Sequence, residues 1–275
     1  MTQTCYRHPD RETAVSCSSC GRPICPDCMT PTPVGMRCPE CMRQQTKVIR
    51  NPTGTPGQFS AFPATMVLIA INIVVYLIEI AHGGGGIGEQ STRTLYDLGG
   101  LFGPSVAEGD WWRLLTSGFV HVSPLHIGFN MFLLYFLGRL LEPALGTPRF
   151  VAVYFASLLA GSFGVMLLDP NVVSAGASGA IFGLAGATFV IARGRGMDAI
   201  AGEIGFLIVF NLVFTFAAAN ISVGAHLGGL VGGVICALTI VAGERGMFGA
   251  RRLPVELLLI AAVGAVSFFG ALAVA

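Results

Sequence analysis

Apolar residues are not spread evenly along this chain. From Pro63 onward they gather into runs long enough to cross about 30 Å of hydrocarbon, separated by short polar or Gly/Pro-bearing breaks. Seven runs are predicted as membrane helices, at 63–80, 120–141, 149–168, 178–192, 203–219, 222–242 and 254–274. The fourth is short and glycine-rich, and little beyond Asn220 to Ser222 separates the fifth from the sixth. The expected fold class is an all-α polytopic membrane protein preceded by a small polar domain. The first sixty residues are polar and cysteine-rich, which excludes the apolar core and cleavage site of a secretory signal peptide.

Composition agrees with this pattern. The chain is 53% hydrophobic and 11% charged, against roughly 25% charged residues in a soluble domain. Lys and Arg fix the orientation, because cytoplasmic flanks retain positive charge. With the N-terminus inside, fourteen basic residues from Arg7 to Arg252 are cytoplasmic and only Arg93 and Arg113 lie outside. A multi-pass cell-membrane protein with a cytoplasmic N-terminus and an external C-terminus is expected. The net charge of +1 is thus sorted by side, and no nucleic-acid partner is expected.

The first 45 residues read as a separate metal-binding module. Cys5-x2-His8, Cys17-x2-Cys20, Cys25-x2-Cys28 and Cys38-x2-Cys41 supply seven thiols and one imidazole, the ligand set for two tetrahedral zinc ions. A reducing cytoplasm argues against the competing disulfide framework. So small a segment has too little apolar content for a core, and metal binding would supply its folding free energy. Both zinc ions are expected to be structural, since every tetrahedral position has a protein ligand. The pattern resembles the cross-braced fingers of B-box and RING type. That resemblance implies pairing Cys5 and His8 with Cys25 and Cys28, and Cys17 and Cys20 with Cys38 and Cys41; spacing alone leaves sequential pairing open. A protein partner for the module is left open too. Cys236, in an apolar run, reads as a small core residue. Residues 46–62, with Asn51-Pro52-Thr53-Gly54-Thr55-Pro56-Gly57, read as a flexible linker beside basic residues suited to anionic lipid, and Gly83 to Gly86 as a mobile loop.

Polar groups inside the apolar runs carry the chemistry. Ser178 stands fifteen residues above Arg193, ~22 Å at the helical rise, and His226 eighteen above Glu244, ~27 Å. Their depths are similar. Gly179-x3-Gly183 on one run, and Gly224-x3-Gly228, Gly228-x3-Gly232 and Gly229-x3-Gly233 on the other, let backbones pack closely in lipid. A serine hydroxyl becomes nucleophilic beside a neutral imidazole. The competing reading makes Ser178 a small packing residue and His226 an interhelical donor; matched depth favours the pair. His121-x4-His126-x3-Asn130 runs along the second apolar segment, with His126 and Asn130 on one helix face. Donors from that face, with the Ser178 backbone N–H, suit an oxyanion hole. No carboxylate is placed to orient His226, so a serine mechanism here is a dyad, and catalysis needs no cofactor.

At this point the residues match a family. Trp112-Arg113, His121-x4-His126-x3-Asn130, Gly176-x-Ser178-Gly179-x3-Gly183 and Ala225-His226-x-Gly228-Gly229 together resemble the rhomboid intramembrane serine proteases, in order and on the expected spans. The resemblance covers 63–242, a six-helix core, and makes 243–275 a cytoplasmic loop and an additional seventh transmembrane helix. It implies Ser178 as nucleophile, His226 as general base, and His126 and Asn130 as oxyanion donors. Trp112 and Arg113 fall in a partly embedded outer loop, and Phe182 at the position whose ring packs on the catalytic histidine. The implied partners are transmembrane protein substrates in the lipid bilayer, whose helices unwind near the outer face. Phe206, Phe210, Phe214 and Phe216 of the fifth span suggest a side gate. Two other classes compete. One is a catalytically silent membrane chaperone or trafficking factor on the same fold. The other is a histidine-lined transporter, which predicts internal repeats and ionisable residues through the full membrane depth.

Overall fold

A computed structural model describes residues 3–32, 35–42, 62–83, 88–217 and 221–275. Apart from Phe62, the expected linker lies outside the described residues, as do Gly84 to Gly86 and Asn220. The chain divides into two compact units, 1–57 and 58–275.

The N-terminal unit contains two short antiparallel ribbons. β1 (Gln3–Thr4) pairs with β2 (Glu12–Thr13), Gln3 opposite Thr13, and β3 (Thr30–Thr32) with β4 (Gly35–Arg37), Thr30 opposite Arg37. Its buried centre is Ile24 surrounded by Cys5, Cys17, Cys25, Cys28, Cys38 and Cys41, with Tyr6 and Met29 packed against them. One aliphatic side chain is no hydrophobic core, so the cysteines must be held together by something other than apolar burial.

The second unit is a helical bundle. Its long helices are α1 (Pro63–Gly83), α5 (Pro124–Leu145), α6 (Thr147–Leu168), α7 (Ser178–Gly194), α8 (Asp198–Ala217), α9 (Val223–Glu244) and α10 (Arg252–Val274). Six of these are long and apolar enough to cross a membrane, and α7 is a shorter apolar helix of 17 residues. Between α1 and α5 lie three short helices, α2 (Thr92–Asp97), α3 (Gly103–Ala107) and α4 (Arg113–Thr116). The observed helices differ from the hydropathy runs at their ends because caps, not apolarity, set them. The second span starts at Pro124 rather than 120, since the Ser123 side chain accepts the His126 N–H and Pro124 occupies the first turn. The fifth begins at Asp198, whose charge suits a helix N-terminus.

A buried carboxylate fixes the first helix. Glu142 of α5 accepts the N–H groups of Ala64 and Thr65 at 3.0 and 2.9 Å, and the hydroxyls of Thr65 and Thr147 at 2.7 and 2.8 Å. The orphan donors at the start of α1 are thereby satisfied where the positive end of its dipole lies, and α1, α5 and α6 are locked together at one end.

α7 is the centre of the bundle, with 12 of its 17 residues buried, and it meets α9 and α6 backbone to backbone. A Cβ on Gly229 would overlap the Gly179 carbonyl oxygen and one on Gly233 the Gly183 carbonyl, one on Gly161 of α6 would stand 3.3 Å from Gly179 Cα, and α9 meets α6 as closely where a Cβ on Gly228 would overlap the Ala160 carbonyl. α10 packs along α6. Its Glu256 accepts from Arg149 of α6 at 2.5 Å and from Arg252 at 2.7 Å, and Gly264 and Gly270 lie against Ala156 and Phe163. α8 is the least embedded helix, burying only Ala201, Ile204 and Thr215.

Candidate active site

Ser178 is the first residue of α7, and its N–H is one of the donors that a helix start leaves without an intrahelical partner. The preceding segment is pinned from above. Leu101 and Ser174 exchange two backbone hydrogen bonds at 2.8 Å, and the Gly176 N–H donates to the Ser117 carbonyl at 2.9 Å. Gly176 has φ +130, a left-handed conformation open to glycine, and a Cβ there would stand 2.7 Å from His126 Cε1 and 2.9 Å from Nε2. Glycine therefore lets the chain turn into α7 while His126 closes over it.

His226 lies one turn into α9, whose start is capped by Ser222 accepting the Ala225 N–H. Its Nε2 is 2.8 Å from Ser178 Oγ. The Phe182 ring stacks on the imidazole with centroids 4.2 Å apart and planes 21° apart. On the far side of the ring, His226 Nδ1 is 2.7 Å from Thr215 Oγ1, and the Thr215 hydroxyl also donates to the Asn211 carbonyl at 2.7 Å. Ser178, His226, Phe182 and Gly179 are thus brought together, with Gly179 in the contact that lets α9 approach.

His126 and Asn130 share a face of α5 and both reach Gly176. The Val122 N–H reaches His126 Nδ1 at 3.4 Å, which assigns the lone pair to Nδ1 and the proton to Nε2, the atom directed at Gly176. Asn130 is buried, and its Nδ2 has no hydrogen-bond partner among the described residues. A buried amide donor without a partner costs about 1–3 kcal/mol, and here it is aimed at the segment just before Ser178. His121 differs from expectation. It lies ahead of α5 rather than on it, because Ser123 starts the helix beyond it. Its N–H donates to Glu79 of α1 at 3.1 and 3.2 Å, Nδ1 is 3.2 Å from the Phe119 carbonyl, and its ring meets His126 edge-on at 5.2 Å. Its ring packs on His126, and its buried Nε2 has no hydrogen-bond partner among the described residues.

Trp112 and Arg113 sit at α4, in the segment between α1 and α5. The buried Arg113 guanidinium donates to Asp110 at 2.9 Å and to the carbonyls of Tyr96 and Gly100 at 2.7 and 3.0 Å, and lies over the Tyr96 ring. It holds the segment's turns together, while Trp112 is exposed. Phe206, Phe210, Phe214 and Phe216 of α8 all face outward from the bundle.

Thr215 was not foreseen from sequence, and neither were Glu79, Glu142 and Glu256. A usable signal existed for the carboxylates, since ionisable residues inside apolar helices mark paired, positioned groups. For Thr215 the signal is weak: a hydroxyl in a Phe/Val-rich helix back-bonds to its own turn as readily as to a neighbour.

In the N-terminal unit the eight predicted ligands gather as Cys5, His8, Cys25 and Cys28, and as Cys17, Cys20, Cys38 and Cys41, each set with donor atoms within 4.8 Å of one another. Tetrahedral zinc implies edges of about 3.8 Å between sulfurs and about 3.5 Å from sulfur to nitrogen. Cys20 and Cys38 sulfurs are 3.8 Å apart, and His8 Nδ1 is 3.3, 3.5 and 3.8 Å from the sulfurs of Cys25, Cys28 and Cys5. Backbone N–H groups of Cys38 and Cys41 already donate to Cys17 and Cys38 sulfurs. At Cys5 burial pushes the thiol up, but N–H groups of Arg7, Cys25 and His8 outweigh it and bring it down to about 6. Burial and the neighbouring thiols Cys25 and Cys5 push Cys28 up to about 11. Clustered thiols that cannot all ionise together call for a cation, so the donor set fits a metal ion.

A helical membrane bundle with a serine and a histidine in hydrogen contact at the start of a short central helix, and free donors beside them, defines a class: polytopic proteins built as intramembrane proteases are. Residues 108–243 match the Rhomboid domain. The chain is 36% identical over 203 residues to "Rhomboid protease GluP" of Bacillus subtilis (strain 168), covering 73% of this chain and 39% of that protein. It is 34% identical over 179 residues to "Putative rhomboid protease YdcA" of the same organism, covering 63% of this chain and 86% of that one. It is also 30% identical over 150 residues to "Inactive RHOMBOID-like protein 8" of Arabidopsis thaliana, covering 51% and 42%. The chain belongs to the rhomboid family.

Proposed function

We propose that this protein is an intramembrane serine endopeptidase that cuts transmembrane helices of membrane-protein substrates near the outer membrane face. The observation that supports this most directly is the 2.8 Å contact between Ser178 Oγ and His226 Nε2. Ser178 Oγ attacks the scissile carbonyl carbon as its proton passes to Nε2. The tetrahedral oxyanion receives the Ser178 N–H, Asn130 Nδ2 and His126 Nε2. His226 returns the proton to the leaving amine, and then activates the water that hydrolyses the acyl-enzyme. The side-chain oxyanion donors come from α5, and the nucleophile with its N–H from α7, so their register depends on the Gly176 turn. Trp112 and Arg113 serve the outer loop that roofs the site.

In this reading the N-terminal unit is a cytoplasmic module holding two structural zinc ions, one in each four-ligand cluster, and takes no part in the chemistry. The seventh helix carries the C-terminus to the outer side. The test is cleavage of a fluorogenic transmembrane substrate by the purified protein in liposomes, with fluorophosphonate labelling of Ser178 in parallel. Turnover and labelling should both vanish in Ser178→Ala and His226→Ala, and the double variant should be no worse than either, since the pair acts as a unit. Turnover that persists in Ser178→Ala sinks the protease reading. Absent labelling and turnover in the wild-type protein would favour the silent, chaperone-like class, to which the inactive relative points.

A further inference from the structure

The proton inventory around His226 leads to a third residue. Thr215 has one hydroxyl proton, and the Asn211 carbonyl at 2.7 Å accepts it. The contact between Thr215 Oγ1 and His226 Nδ1, also 2.7 Å, then requires the ring to donate. A neutral imidazole carries a single N–H, so Nδ1 holds the proton and Nε2 presents its lone pair to Ser178. The other tautomer would turn an N–H toward Ser178 and have no means of taking its proton. Stacking on Phe182 fixes the plane of the ring but is met equally well by the ring flipped 180° about its Cβ–Cγ bond. Hydrogen bonds at opposite ends of the ring remove that choice.

We propose that Thr215 is the positioning residue for the general base: from α8 it holds His226 in the tautomer and rotation that face Ser178. This rests on the reading of Ser178 and His226 as nucleophile and base. During attack the Ser178 Oγ–H bond breaks and the Oγ–carbon bond forms, the proton arriving on Nε2. The imidazolium so formed keeps its Nδ1–H on Thr215 Oγ1, and Nε2 later surrenders the same proton to the leaving amine. Thr215 exchanges no proton. Its place in the fold adds a consequence. Ala201 and Ile204 bury the cytoplasmic half of α8, whereas Thr215, 2% exposed, is the buried side chain of the outer half. The base is therefore set only while that half of α8 is seated against α9.

The test uses the full chain in liposomes with a transmembrane substrate, and 15N-labelled histidine. The His226 signal is assigned by its loss in His226→Gln, among five histidines in all. Thr215→Val keeps the volume and removes the acceptor; kcat should fall about tenfold with KM within about twofold, the size expected for one neutral hydrogen bond. Thr215→Ser should recover most of kcat. The wild-type spectrum should show His226 protonated on Nδ1, and Thr215→Val a mixture of tautomers. Unchanged kcat and tautomer in Thr215→Val overturn the proposal, and so does a Thr215→Ser protein as impaired as Thr215→Val with the wild-type tautomer intact. If the wild-type protein shows no Ser178-dependent cleavage, the protease reading fails instead, and the nitrogen spectra still decide the role of Thr215.

Discussion

Gly229→Ala should separate Ser178 from His226 without touching either residue. Gly229 lies one turn beyond His226 on α9 and faces Gly179, the residue after Ser178, and an added Cβ would overlap the Gly179 carbonyl oxygen and stand 3.0 Å from its Cα. Close-packed interiors yield little, so restoring an ordinary carbon–oxygen contact requires the two backbones to part by about 1 Å or more. The Ser178–His226 contact is 2.8 Å, and an extra ~1 Å takes it beyond hydrogen-bond range. A displacement of about 1 Å at a reacting pair costs on the order of 10²-fold, so kcat for a transmembrane substrate should fall by about that factor, and fluorophosphonate labelling should slow with it. Gly202→Ala on α8 is the control, because a Cβ there meets nothing within 4 Å. It should keep full turnover and gain stability, since alanine is the better helix former by up to about 1 kcal/mol. Wild-type turnover in Gly229→Ala, with the thermal transition preserved, would refute the idea that glycine contacts set the spacing of the pair. Equal losses in both variants would refute it as well.

Three further outcomes are expected. Asn130→Ala should lower kcat by about 10²-fold with little change in KM, as for loss of an oxyanion donor, and His126→Ala should resemble it; a rise in KM alone would move both residues to substrate binding. The fragment 1–45 should bind two zinc ions by elemental analysis and unfold in excess chelator. Metal-bound sulfurs are thiolates, so every proton that zinc must displace weakens binding as pH falls. Zinc should therefore be released as pH falls below neutrality, as followed with a chromogenic chelator; a fold retained after release would contradict the metal-dependent centre. A reporter active only in the cytoplasm should be silent when fused after Ala275, and a signal would show that the charge asymmetry was read the wrong way.

The membrane segments were legible because a helix in lipid needs a long apolar run whatever it packs against. The pair Ser178 and His226 was legible because each stands in a glycine-bearing run where a polar side chain is costly. Helix ends were less so: Ser123 and Pro124 start α5 within a stretch that hydropathy reads as continuous, and this took His121 off the helix. The groups that tie distant elements together were least visible. Glu142 caps a helix 77 residues earlier, and Glu256 pairs with Arg149 across 107 residues; no local pattern encodes such partners. Thr215 was hidden for the opposite reason, since its bond to Asn211 already accounts for a threonine in a helix.

The seventh helix gives the bundle unequal sides. α10 is bolted to α6 by Glu256 and Arg149, and its Phe268 reaches Trp111 of the segment between α1 and α5, so that flank is two helices thick and braced by charge. On the opposite flank Leu133 and Leu137 of α5 face Leu207 and Ile208 of α8 across a seam floored by Ile181, Phe182 and Ala185. With only three buried side chains, α8 is the less anchored of the two flanks, and the floor of its seam carries the ring stacked on His226.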